Sequence, residues 1–276
     1  QGMRLLEPTP YNGAEELRRA IAAYLHQFRG MTVDPEQIIV GAGTEFLYNI
    51  IIQLLGREKC YAVEDPGYSK ISQIYAQNGV RLVRVGLDEA GLSVRALRRE
   101  PADIVHLSPS HHYPTGIVMP IARRRELLRW AEESAERCIL EDDYDSEFRF
   151  VGRPIPTLFS TDESQRVIYL NTFSKTIAPS IRISYMLLPP RLLERYREKL
   201  GEELADACNV AYELTFLVMG IACAIYVLGI KKQRLIPKHC RDPRRTAFVV
   251  HGDDHAVHTV LQLAGGGGVT GDHHGL

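Results

Sequence analysis

Residues 37–56 read QIIVGAGTEFLYNIIIQLLG. Ile38, Ile39 and Val40 form a short branched apolar run that suits a strand. Gly41, Ala42, Gly43 and Thr44 interrupt it, and a longer segment with the apolar content of a buried helix follows. Strand, glycine turn and helix make the opening of a βαβ unit. Glycines let the backbone approach a ligand closely, and a helix N-terminus offers unpaired N–H groups and the positive end of a dipole. The turn therefore reads as a cradle for a phosphate-sized anion or as a plain β–α turn. It is neither a Walker loop, because no GK[ST] follows, nor a GxGxxG fingerprint.

The same alternation continues in both directions. Before it, AEELRRAIAAYLHQFRG has helical spacing, with Leu17, Ile21, Tyr24, Leu25 and Phe28 on one face and Gly30 as a stop. After it, KCYAVED precedes YSKISQIYAQNG, VRLVRVG precedes SVRALRRE, and ADIVHLS precedes IARRRELLRWAEESA. RCILEDD and RVIYLNT complete the series. Strands alternating with helices predict an α/β fold with a doubly wound, mostly parallel sheet. Ligands of such sheets sit at the carboxyl ends of the strands.

Composition narrows the function classes. The chain has 276 residues, 45% hydrophobic and 24% charged, with 33 basic residues against 34 acidic ones. That is globular composition with no basic excess for nucleic acid. Cys60, Cys138, Cys208, Cys223 and Cys240 are odd in number and lack a CxxC pair, which fits a reducing cytoplasm better than a disulfide framework. No apolar h-region opens the chain, so no signal peptide is expected. Residues 214–230, LTFLVMGIACAIYVLGI, carry no charge, but a spanning helix needs about 20 residues, so a buried helix is expected there.

Polar residues cluster where the strands end. Glu64, Asp65, Pro66, Gly67 and Tyr68 follow one run, and Tyr68 is placed either to stack on a flat ligand or to pack in a capping turn. SPSHHYPTG follows the next, with His111 and His112 as acid–base groups, ligands or loop surface. Glu141, Asp142, Asp143, Tyr144 and Asp145 come after CIL. Adjacent acids are costly unless solvated or paired. They suit a magnesium site that also has phosphate ligands, a carboxylate partner for a protonated ring nitrogen, or a solvated strand end. In NTFSKTIAPSIRISY, Thr172 and Ser174 offer hydroxyls, Lys175 an amine and Arg182 a guanidinium, with no acid nearby. Like charge and desolvation both disfavour an ammonium, and a free amine is a nucleophile toward carbonyls. His251, His255 and His258 in HGDDHAVH have no fourth zinc ligand, so incidental placement is expected.

A phosphate cradle, a stacking aromatic, a ring-nitrogen carboxylate, a reactive lysine and an anion-binding arginine together suit pyridoxal 5′-phosphate. EDDYDSEFR and TFSKTIAPSIRISYMLLP make the chain resemble the fold-type-I pyridoxal-phosphate-dependent aminotransferases of class I/II. More narrowly, it resembles the aminotransferase-like domain of MocR-type regulators of the GntR superfamily. LRRAIAAYLHQFRGM, VEDPGYS and SPSHHYPTG support this.

The resemblance implies an aminotransferase large domain over residues 11–190, a partial small domain over 191–264 and a disordered tail over 265–276. It makes Lys175 the Schiff-base lysine, Asp142 the partner of the pyridinium nitrogen and Tyr144 the donor to the ring's phenolic oxygen. Tyr68 stacks on the ring. Gly43, Thr44 and Glu45 hold the phosphate through their backbone, with Thr172, Ser174 and Arg182. Tyr113 stands where many aminotransferases have asparagine, a departure that favours the regulator branch.

It further implies a homodimer, an amino acid or amine as partner, no membrane, and no nucleic acid through this chain, since the DNA-reading domain of such regulators has no counterpart here. The family's carboxylate-binding arginine lies toward its C-terminus, and this chain has no lysine or arginine after Arg245. Poor transamination of free amino acids is therefore expected. The rival functions are amino-group transfer and a cofactor- or amino-acid-sensing effector domain.

Overall fold

The structure is a computed structural model that describes residues 10–145, 155–176 and 182–208, all within the first of two compact units, Gln1–Ala211. For Lys175 and Thr176, and beyond Lys199, only the backbone is described. The uncharged 214–230 run, the three histidines of HGDDHAVH and the tail lie outside the described residues.

Helix α1 (Glu15–Arg29) has Glu15 and Glu16 in its first turn and His26 and Arg29 in its last, matching the helix dipole at both ends. It stops at Gly30, whose φ of 65° closes the helix in the left-handed region. Strand β1 (Ile38–Gly41) leads through Gly43 into α2 (Thr44–Leu55). Leu47, Tyr48, Ile50, Ile51, Ile52, Leu54 and Leu55 of α2 are all buried, as expected of a helix that is apolar nearly all round. Strand β2 (Cys60–Asp65) and α3 (Ser69–Gln77) follow, then β3 (Arg81–Asp88), the short β4 (Gly91–Leu92) and one turn of helix, α4 (Val94–Leu97). Next come β5 (Ile104–Leu107), α5 (Ile121–Glu132), β6 (Cys138–Asp142), α6 (Leu158–Thr161) and β7 (Val167–Thr172). The series ends with α7 (Phe173–Thr176), β8 (Ser184–Leu187) and α8 (Pro190–Cys208).

The eight strands form one sheet in the order β1-β8-β7-β6-β5-β2-β3-β4. The run β3-β2-β5-β6-β7 is parallel throughout. Strands β5, β6 and β7 are buried at every position, which a parallel sheet requires when helices cover both faces. Two apolar clusters lie on those faces. One gathers Leu47, Ile51, Ile71, Tyr75, Leu192 and Tyr196, and the other gathers Leu97, Leu127, Trp130 and Leu158.

The sequence periodicity leaves β8 and β4 unread. Both add antiparallel pairs, β8 to β7 and β1, and β4 to β3. The connection from β7 to β8, residues 173–183, is too short for a parallel crossover, so β8 returns antiparallel. Because β8 reverses twice between β7 and β1, those two strands point the same way. Gly41, Ser184 and Thr172 therefore fall in one row at the carboxyl edge of the parallel core. The α1 face also differs from its periodic reading. Leu17, Ile21 and Leu25 are buried, but Phe28 is 43% exposed while Arg29 turns inward.

Candidate active site

The carboxyl edge collects most of the predicted residues. Gly43 has φ +98°, a conformation that side chains rarely adopt, and a Cβ there would stand 2.8 Å from Nη2 of Arg182. The absence of a side chain at Gly43 lets the Arg182 guanidinium rest against the start of α2. The first turn of a helix leaves its N–H groups without intrahelical partners. An exposed guanidinium beside such N–H groups forms a two-sided anion cradle. The side chain of Glu45 turns aside to pair with Lys70 of α3.

Thr172 and Ser174 lie next to this cradle. The Thr172 hydroxyl donates to the Ile183 carbonyl at 3.3 Å and accepts from the Ser174 N–H at 3.2 Å. Lys175 follows immediately in α7.

The three acids after CIL are buried rather than solvated, and they divide their partners by strand alternation. Glu141 accepts from the N–H groups of Leu158 and Phe159, both at 2.9 Å, and lies 3.4 Å from Arg124. Burial, with Asp143 nearby, pushes the Glu141 carboxyl up to about 7. Asp143 pairs with Arg29 and accepts from the Tyr169 hydroxyl at 2.7 Å. Burial lowers the Arg29 guanidinium, but Asp143, Tyr169 and Glu141 together outweigh it and raise it.

Asp142 faces the other way. Its Oδ2 accepts from the Tyr48 hydroxyl at 2.6 Å and lies 3.5 Å from Nε2 of His106. Its Oδ1 is buried and has no hydrogen-bond partner among the described residues. Oδ1 of Asp143 is likewise without a partner, but that carboxylate already has the Arg29 guanidinium, whereas Asp142 has no lysine or arginine partner among the described residues, so a cationic donor from outside the chain fits Asp142. Tyr48 is held as a phenol by burial and by Asp142, both of which push it well above its usual value.

The aromatic residues line the same edge. Tyr68, just before α3, is 52% exposed and meets Tyr113 edge to face with ring centroids 5.8 Å apart. Tyr144 stacks on His111, whose Nδ1 pairs with Asp145. Burial, then Asp145 and Asp142, pushes the Tyr144 phenol up to about 12, so it stands ready as a donor. His112 is buried, with Nδ1 2.8 Å from the Thr115 hydroxyl and Nε2 3.5 Å from Glu64.

The structure thus brings Gly43 to Arg182, and Thr172 to Ser174. Asp142, Tyr144 and Tyr68 fall along the same edge without a direct contact among them. Sequence reading placed Glu64 at a strand end without giving it a role, and missed Tyr48, Tyr75 and His106. Of these three, His106 left a signal, as a titratable residue within the apolar run IVHL. Among the described residues no cluster of three or more metal-ligating side chains occurs, and no helix is long and apolar enough to cross a membrane.

The residues present fit pyridoxal 5′-phosphate: a cradle for a phosphate, an open carboxylate oxygen for a ring N–H, and a lysine that follows the adjoining strand. The chain is 42% identical over 197 residues to the uncharacterized HTH-type transcriptional regulator YdeL of Bacillus subtilis, covering 71% of this chain and 42% of that protein. It is 37% identical over 187 residues to the probable rhizopine catabolism regulatory protein MocR of Rhizobium meliloti, covering 67% of this chain and 38% of that one. The chain therefore spans about two fifths of the length of these relatives. An archaeal alanine:glyoxylate aminotransferase shares the fold, with a TM-score of 0.67 and 24% identity over 82% of this chain and 58% of that one. The sequence pattern of aminotransferase class I and II matches residues 2–202, and the chain belongs to that family.

Proposed function

We propose that the chain binds pyridoxal 5′-phosphate at the carboxyl edge of its sheet and exchanges an amino group between an amino acid and a 2-oxo acid. The unpartnered Oδ1 of buried Asp142 carries this reading, since a protonated ring nitrogen supplies the donor that it lacks. Arg182, the backbone of Gly43, Thr44 and Glu45, and the hydroxyls of Thr172 and Ser174 hold the phosphate. Tyr68 covers one face of the ring, and Tyr144 donates to its phenolic oxygen.

When bound, the cofactor supplies a carbonyl that takes up an amino group and a ring that draws electron density from the substrate's Cα. Lys175 carries the cofactor. Once the substrate's amino group displaced it, the freed Nζ would take the Cα proton and return it on the far side of the transferred nitrogen. Asp142 keeps a proton at the ring nitrogen, which makes the ring an effective electron sink.

A second reading rests on the relatives. Both of those described above are named as regulatory proteins, so the same site would serve as the effector domain of a transcription regulator, with binding as its output. A homodimer, and an amino acid or amine as the small-molecule partner, belong to both readings.

The test is borohydride reduction after addition of pyridoxal phosphate, followed by peptide mapping. The pyridoxyl group is expected on Lys175, and labelling mainly on Lys70 overturns the assignment. Turnover with an amino acid and a 2-oxo acid then separates the enzyme from the effector domain.

A further inference from the structure

His106 sits in the middle of β5 and is 2% exposed, a costly place for an imidazole unless both ring nitrogens are used. Its strand neighbours are apolar, Val63 on β2 and Leu140 on β6. Its polar neighbours come from three other elements: Tyr75 of α3, Tyr48 of α2 and Asp142 of β6. The Tyr75 hydroxyl is 2.7 Å from His106 Nδ1. The Tyr48 ring meets the imidazole edge to face at 5.0 Å. Nε2 lies 3.5 Å from Asp142 Oδ2 and has no hydrogen-bond partner among the described residues. Glu64 also lies near enough for the Asp142 charge to raise its carboxyl.

These contacts select one tautomer. Burial pushes the Tyr75 phenol well above its usual value, so it keeps its proton, and that buried proton has no other acceptor among the described residues. Its hydrogen-bonded partner is His106 Nδ1. Nδ1 is then the acceptor, and the single proton of the neutral ring is on Nε2. The second nitrogen agrees: a lone pair aimed at a carboxylate is repelled, whereas an N–H is attracted. At 3.5 Å the approach is longer than a formed hydrogen bond, and a shift of a few tenths of an ångström closes it.

We infer that His106 is a positioning residue, held by Tyr75 in the Nε2–H form, which together with Tyr48 turns Oδ2 of Asp142 inward and leaves Oδ1 as the one acceptor presented to the cofactor's ring nitrogen. This role rests on the cofactor reading above. With Oδ2 fixed in this way, the free lone pairs of Oδ1 face the ring nitrogen and accept its N–H.

Three variants and two spectra test it. In the cofactor-free chain labelled with 15N-histidine, long-range 1H–15N spectra should give His106 an acceptor-type Nδ1 and a protonated Nε2. The opposite tautomer overturns the inference. Tyr75→Phe should abolish that selection while leaving the fold intact, and an unchanged tautomer population in this variant also overturns it. With pyridoxal phosphate, His106→Leu should weaken binding about tenfold, the low end for a hydrogen bond to a charged group. It should also move the 15N resonance of the labelled ring nitrogen toward its unprotonated position. His106→Gln should recover most of both, because its amide can accept from Tyr75 and donate to Asp142. If the wild type binds the cofactor but the glutamine variant behaves like the leucine one, the role is purely structural and the inference fails alone. If the wild type does not bind, the cofactor reading fails and His106 loses this role with it.

Discussion

Glu64, the last residue but one of β2, has its carboxyl buried, one oxygen accepting from the Ser108 N–H at 3.0 Å and the other without a partner among the described residues. Burial, with Asp142 adding, pushes it from 4.5 up to about 8 against that single N–H. The folded chain thus holds this proton more tightly than the unfolded one. Stability from Glu64 is fully present below about 4.5 and is lost as pH rises toward about 8. Glu64→Gln keeps an acceptor for Ser108 and cannot ionise. Its urea-unfolding free energy should therefore be flatter than the wild type's over this range. Near the upper end it should exceed the wild type by at least about 1.4 kcal/mol, the linkage of one pKa unit. A parallel decline in both proteins would show that the carboxyl ionises freely in the fold.

Strand β6 and Asp143, which follows it, serve four neighbouring elements. Their alternating side chains send Glu141 and Asp143 toward Arg124 and Arg29, and Asp142 toward Tyr48 and His106. The Arg29–Asp143 pair ties the last turn of α1 to the sheet, and its side chains are only 5% and 0% exposed. Arg29→Ala leaves a carboxylate buried without its cation. It should cost about 3–5 kcal/mol in denaturant unfolding, far more than an exposed pair such as Arg19–Glu15. The double variant Arg29→Met, Asp143→Leu should lose less than Arg29→Ala, because it leaves no unpaired charge. Equal losses would mean that the pair contributes through its shape alone. Arg29 continues the i+4 row of Leu17, Ile21 and Leu25 that faces the sheet, so Phe28 falls beside that row and faces outward.

At the scale of the molecule, the sheet brings the strand ends together while the two apolar clusters hold its faces. A ligand that binds only this assembled edge stabilises the fold by mass action. Pyridoxal phosphate at a hundred times its dissociation constant should add about 2.7 kcal/mol and raise the melting temperature in a concentration-dependent way. A melting temperature indifferent to the cofactor would separate this edge from cofactor binding. The succession of strands and helices was legible in the sequence because it depends on local terms: periods of two and 3.6, and glycine at turns such as Gly43 and Gly30. The candidate residues were legible because each follows an apolar run, and the chain direction puts parallel strand ends on one edge. Strand β8 was not, since its short apolar run follows no helix of ordinary length and only its pairing with β7 and β1 defines it. Nor could the sequence say which of three adjacent acids is open to a ligand. That depends on Tyr48, His106, Arg29 and Arg124, which lie far away in the chain and reach β6 only when the sheet and its covering helices are assembled. Local sequence determines where elements start and stop. Packing decides which buried charges find partners, because in a low-dielectric interior each charge is satisfied by whatever the fold sets beside it.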